Sequence, residues 1–124
     1  MIQNTTKKKK RKKPTLYKHT LFNVSQQWME QKKSTVTEDY AKDIWRSLEL
    51  HVFPSLGSQP ISMVTAQTVI QTLKVVEAKG SLETLRRLSQ RLNEVMLYAM
   101  HSGLINANPI SNILRLLKSL NKSI

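Results

Sequence analysis

Between Gly80 and Gly103 the chain places Leu85, Leu88, Leu92, Val95, Met96 and Ala99 three and four residues apart. That spacing gathers side chains on one face only in an α-helix, and an apolar stripe of about four turns must be covered by other elements. Ser81 supplies an N-cap, Gly80 suits a left-handed cap on whatever precedes, and Gly103 closes the helix. Three upstream windows repeat the pattern. Leu21, Val24, Trp28 and Met29 follow Thr20 as cap, and Lys32-Lys33-Ser34 ends that helix. Thr35 and Glu38, spaced as a capping box, open a second helix through Val36, Tyr40, Ile44, Leu48 and Val52, stopped by Phe53-Pro54. A turn-rich connector, Leu56 to Ile61, tucks Ile61 and Val64 onto the bundle. A third helix starts near Thr65 with Ala66, Val69, Ile70, Leu73 and Val76 inward and ends at Lys79-Gly80. Asn108-Pro109 reads as N-cap and first position of a short fifth helix with Ile110, Ile113, Leu114 and Leu117. No alternation persists long enough for a sheet.

The 124 residues suffice for one small core with tails. The absence of Cys excludes disulfides, thiolate catalysis and Cys-based zinc sites, and no apolar run reaches membrane-spanning length. Net charge is +12, unevenly spread: residues 1–20 hold eight Lys and Arg and no acid, which leaves twelve bases against eight acids, or +4, for the rest. Lys7-Lys8-Lys9-Lys10-Arg11-Lys12-Lys13 repels itself and is expected to be disordered when free. A polyanionic partner follows. The apolar faces are needed for the core, so nucleic acid fits better than a membrane surface.

Two helix starts present polar side chains where free amides already favour phosphate. On the fourth helix Thr84, Arg86, Arg87, Gln90 and Arg91 lie off the leucine stripe and are expected to meet solvent or a partner, with Lys79 and Ser81 just before them. Arginine can grip phosphate or pair with guanine, glutamine can pair with adenine, and threonine can touch backbone or a thymine methyl. The alternative is a solvated face balanced by Glu83 and Glu94. On the second helix Ser34, Thr35, Thr37, Lys42 and Arg46 are candidates, opposed by Asp39 and Asp43, with Lys32 and Lys33 as phosphate contacts. Trp28, Tyr40, Phe53 and Tyr98 read as core residues, and Trp45, one step off the Ile44 stripe, as lining a groove between helices or meeting another domain.

Leu48-Glu-Leu-His-Val-Phe-Pro-Ser-Leu-Gly-Ser-Gln-Pro-Ile61, then Gly80-Ser-Leu-Glu-Thr-Leu-Arg-Arg-Leu-Ser-Gln-Arg-Leu-Asn93, then Gly103-Leu-Ile-Asn-Ala-Asn-Pro109 resemble, in order and spacing, the core-binding domain of phage-type tyrosine recombinases. The similarity is to the P4-like prophage integrases, with an arginine-rich last helix ending in Gly-x-Ile-x-x-Asn-Pro, and it covers about residues 20 to 114. The resemblance implies an all-α, four-helix SAM-like bundle with a short fifth helix. It divides the chain into a flexible basic tail over 1–19, a DNA-binding domain over 20–118 and the start of a linker over 119–124. It further implies that the second and fourth helices enter adjacent major grooves, with Thr84 and Arg86 at DNA-contacting positions. The implied partners are core-type duplex DNA, a catalytic domain absent from this chain, and other integrase protomers in a bacterial or phage cytoplasm.

Catalysis by this chain is not expected. Tyr17, Tyr40 and Tyr98 do not match the family's nucleophile, which belongs to the separate catalytic domain with its arginines, lysine and histidines. His19, His51 and His101 lack partners at ligand spacing, and no phosphate loop, nucleophile elbow or carboxylate pair occurs, so no metal or cofactor is expected. Two other readings stay open: a free-standing DNA-binding regulator or excision accessory factor, and a helical protein-interaction module.

Overall fold

A computed structural model describes residues 19–113. In chain order the elements are α1 (Leu21–Lys32), α2 (Glu38–His51), the single turn α3 (Phe53–Leu56), a 3-10 turn (Ile61–Met63), α4 (Ala66–Ala78) and α5 (Leu82–His101). Among the described residues there is no strand, only an isolated bridge between Thr20 and Pro60. The fold is the expected all-α bundle. The tail before His19, Tyr17, and the positions of Leu114, Leu117 and 119–124 lie outside the described residues. Residues 111–113 begin the helical turn expected after Asn108-Pro109.

α5 packs on α1, α2 and α4. Its Leu88, Leu92, Val95, Met96 and Ala99 are sealed from solvent together with Leu21, Val24, Ile44, Leu48 and Val69 from the surrounding helices. Trp28 is 5% exposed, as a core residue should be. Caps form where the local sequence provides them. Thr20 and Ser81 accept from the amides of Asn23 and Thr84 at 3.1 and 3.2 Å, and Thr65 and Thr68 bond reciprocally at the start of α4. Gly80 and Gly103 sit at φ +85° and +80°, conformations that cost residues with a Cβ.

Three expectations are corrected. The second helix starts at Glu38 with Thr37 as its cap, because the Thr35 hydroxyl is spent on the carbonyl of Lys32 (2.9 Å) and that of Ser34 on Gln31 (2.8 Å), both closing α1. Pro54 does not only stop α2; it opens α3, since a first-turn proline loses no helical hydrogen bond. Tyr40, assigned to the core, is 46% exposed.

The connector after α3 has a second task. Phe22 and Leu21 donate to the carbonyls of Gly57 and Gln59, each at 2.9 Å, and Ile61 donates to His19 at 2.7 Å. It thus satisfies amides that the first turn of α1 leaves without helical partners. Gly57 permits close packing on the preceding turn α3: a Cβ there would stand 2.7 Å from the Phe53 carbonyl oxygen.

Candidate nucleic-acid interface

The amino-terminal half of α5 carries the densest set of candidates, and the structure divides them. Arg86 and Arg87 are exposed and both reach Glu83, at 3.4 and 3.0 Å. Gln90 is exposed beside them. Thr84 is half-buried and accepts the Ser81 hydroxyl at 2.7 Å, so Ser81 and Thr84 form the helix cap, with Lys79 exposed two residues before Ser81.

Arg91 departs from expectation. It is 8% exposed and turns from solvent towards α2. Its Nη1 donates to the Ser47 hydroxyl at 2.8 Å and its guanidinium lies 5.7 Å from the centre of the Tyr40 ring. The cause is its angular place on α5. One residue before Leu92, Arg91 falls at the edge of the apolar stripe, where its long stem can be covered by α2. Tyr40 is exposed because it forms the lid of this contact. Neither Tyr40 nor Ser47 had been singled out for the site, although their seven-residue spacing puts both on one flank of α2.

Around the α1–α2 turn, Lys32 is half-buried and bonded to Glu94 at 3.0 Å, which ties the end of α1 to the middle of α5. Lys33 is exposed and paired with Glu30. Ser34, Thr35 and Thr37 serve as caps, which leaves them at the surface with their hydroxyls engaged. On α2, Lys42 lies 3.9 Å from Glu38, and Arg46 is exposed. Trp45 packs tilted against Phe22 and edge-to-face against Phe53, with centroids 5.8 and 5.1 Å away, and also lines an open groove of about 660 Å³ with Met29 and Ala41.

Charge separates the two edges. α2 holds Lys42 and Arg46 against Glu38, Asp39, Asp43 and Glu49, a net of −2. α5 holds Arg86, Arg87 and Arg91 against Glu83 and Glu94, a net of +1. A phosphate backbone is repelled by the first surface and attracted by the second. Among the described residues no group of His, Asp and Glu is arranged to hold a metal, and no helix is long and apolar enough to cross a membrane.

A helical bundle whose arginine-bearing helix ends in Gly103-Leu-Ile-Asn-Ala-Asn-Pro109 matches a known family, the phage integrase central domain, over residues 21–115. The chain belongs to that family. It is 50% identical over 95 residues to prophage integrase IntA of Escherichia coli (strain K12), covering 77% of this chain and 23% of IntA. Identity is 36% over 86 residues to putative protein IntB of the same strain, covering 69% of this chain and 22% of IntB. It is 30% over 95 residues to the integrase of Enterobacteria phage P4, covering 77% of this chain and 21% of that integrase. This phage integrase central domain therefore spans less than a quarter of the length of these relatives. Asn108 has a clear physical role: it donates to Asn93 Oδ1 at 2.6 Å and accepts the Ile110 amide at 3.0 Å. Asn108 thus pins the segment after α5 back onto α5.

Proposed function

We propose that this domain binds duplex DNA at core-type recombination sites and holds it for a tyrosine recombinase catalytic domain of the same polypeptide. The two domains would clamp the duplex from opposite faces during prophage integration or excision in the bacterial cytoplasm. The observation that carries this reading is the start of α5: Arg86, Arg87 and Gln90 are exposed on the first turns of a helix whose opposite face is core, in a chain that belongs to the phage integrase central domain family. Arg86, Arg87 and Gln90 are the base-reading candidates, Lys79 and Lys33 hold phosphate, and Ser81 and Thr84 offer amides and hydroxyls at the helix start. Ser34, Thr35, Thr37, Lys42 and Arg46 form a secondary edge, weakened by the acids of α2. Residues 1–19 act as a basic arm or linker, 20–118 as the DNA-binding domain, and 119–124 as the start of the connection onward. Other integrase protomers are the expected companions on DNA.

The test is fluorescence anisotropy over a range of salt with two duplexes, one selected by this protein from a random pool and one scrambled. With about six phosphates neutralised, log K is expected to fall with log salt at a slope near −5, and the selected duplex to bind more tightly. Salt-independent binding to both would refute the reading and favour a protein-interaction module.

A further inference from the structure

We propose that Arg91 is a recessed receptor for one backbone phosphate of duplex DNA, held ready in the crevice between α2 and α5 by the Tyr40 ring and the Ser47 hydroxyl. The inference rests on the DNA-binding reading and deepens it. It starts from a mismatch of charge. Lys32, Lys33, Lys42, Arg86 and Arg87 each reach a carboxylate within 4.0 Å. Arg91, more deeply buried than any of them, meets none among the described residues; its contacts are a neutral hydroxyl at 2.8 Å and a neutral ring at 5.7 Å. Asp43 lies on the same flank of α2 as Tyr40 and Ser47 and is not within ion-pair distance of it. A guanidinium withdrawn from water is compensated only where an anion or a full set of acceptors meets it, and an apolar side chain of similar length would fill the same space at lower cost.

The donor geometry points the same way. A guanidinium carries five N–H donors, and here one bond is made. The sealed side-chain polar atoms without a partner are His19 Nδ1 and Ser25 Oγ among the described residues. The other nitrogens of Arg91 are not of that kind, so they keep an opening to solvent. The Ser47 hydroxyl donates to the Ile44 carbonyl at 2.7 Å, which turns its lone pairs towards Arg91 and fixes the fork. A fork already immobilised loses little side-chain freedom on binding, and its planar pair of N–H groups matches two oxygens of one phosphate. Arg87 stands one helical turn before Arg91, so the receptor lies beside the exposed part of the face.

Phosphate contacts are independent of sequence, so a random 20-base-pair duplex is a sufficient probe for the full chain. In the wild type, the Nε–Hε resonance of Arg91, assigned by its loss in Arg91→Lys, is expected to shift when duplex is added. Arg91→Met is expected to bind about tenfold more weakly near 0.1 M salt, with the salt slope shallower by about one unit, and Arg91→Lys to keep the slope while recovering part of the affinity. A purely structural Arg91 would lower the melting temperature of the Met variant and leave the slope of the folded protein unchanged. If Arg91→Met does not fold, the wild-type resonance decides alone. The proposal is overturned if the wild type binds duplex in a salt-dependent way while that resonance stays fixed, or if folded Arg91→Met keeps the wild-type slope. Absence of any salt-dependent binding by the wild type would overturn the DNA-binding reading itself.

Discussion

On the proposed DNA-facing role of α5, Glu83 is the side chain at which stability and DNA binding would pull in opposite directions, and Glu83→Gln measures both. Its carboxylate takes Arg86 at 3.4 Å and Arg87 at 3.0 Å while itself 58% exposed. Exposed pairs of this kind contribute about 0.2–1 kcal/mol each, discounted by salt, and an acid in the first turn of a helix adds about 0.3–1 kcal/mol through the dipole. Glutamine should therefore lower stability by about 1 kcal/mol, a few degrees in melting temperature for a domain of this size. DNA affinity should rise on the proposed reading, because one repulsive charge leaves the face beside Arg86 and Arg87. One additional phosphate neutralised steepens the log K against log salt slope by about 0.9. The advantage of the variant should accordingly shrink by about 3.5-fold between 50 and 200 mM salt. Anisotropy titrations across that range, with thermal melts of both proteins, test the pair of effects together. Unchanged or weaker duplex binding by a folded Glu83→Gln would remove Arg86 and Arg87 from the DNA-facing surface, whatever the melting temperature.

Trp28→Ala should cost about 3–5 kcal/mol by emptying a closed part of the core, a large share of the roughly 5–15 kcal/mol that holds a small domain together; an unchanged melting temperature would contradict its burial. Asn108→Ala removes both the 2.6 Å bond to Asn93 and the acceptor for the Ile110 amide, and should lower stability by about 1–2 kcal/mol, read by chemical denaturation. Arg86→Ala and Arg87→Ala should leave stability within about 0.5 kcal/mol. A base-reading arginine should lose about 1–3 kcal/mol of discrimination between selected and scrambled duplexes, and a phosphate-holding one should weaken both alike.

What was legible in the sequence is what depends on neighbours within one or two turns. The stripe of α5, its Ser81 cap, the Thr20 and Thr65 caps and the left-handed glycines at 80 and 103 are decided locally, and the structure has them where local rules put them. The start of α2 was ambiguous for the same reason. Thr35 and Thr37 both satisfy the rule for a cap, and the choice turns on Thr35 closing α1, which is a question of where the preceding helix ends. The burial of Arg91 was not legible because an arginine at the edge of an apolar stripe can swing out or lie flat, and only the arrival of α2 with Tyr40 and Ser47 decides which. The bond from Asn108 to Asn93 spans fifteen residues and had no local signature.

If the domain binds DNA as proposed, the distribution of charge would divide that work between parts of the chain. Residues 19–113 hold nine Lys and Arg against eight Asp and Glu, a net of +1, whereas residues 1–18 hold eight bases and no acid. Most of the bases among the described residues are already engaged with carboxylates at the surface. On the proposed DNA-binding reading, a nearly neutral helical body would supply little of the non-specific attraction, which would come chiefly from the basic flank, while the exposed edge of α5 would supply geometry. Removing residues 1–18 should therefore flatten the salt slope by several units. The affinity ratio between selected and scrambled duplexes should survive the deletion, because phosphate attraction carries no sequence information. Circular dichroism should show the helical fold retained, since among the described residues Leu21 to Ile113 supply a core of their own. Should the deletion abolish discrimination while leaving the slope intact, the assignment would reverse: the flank would be the reader, and α5 a solvated face.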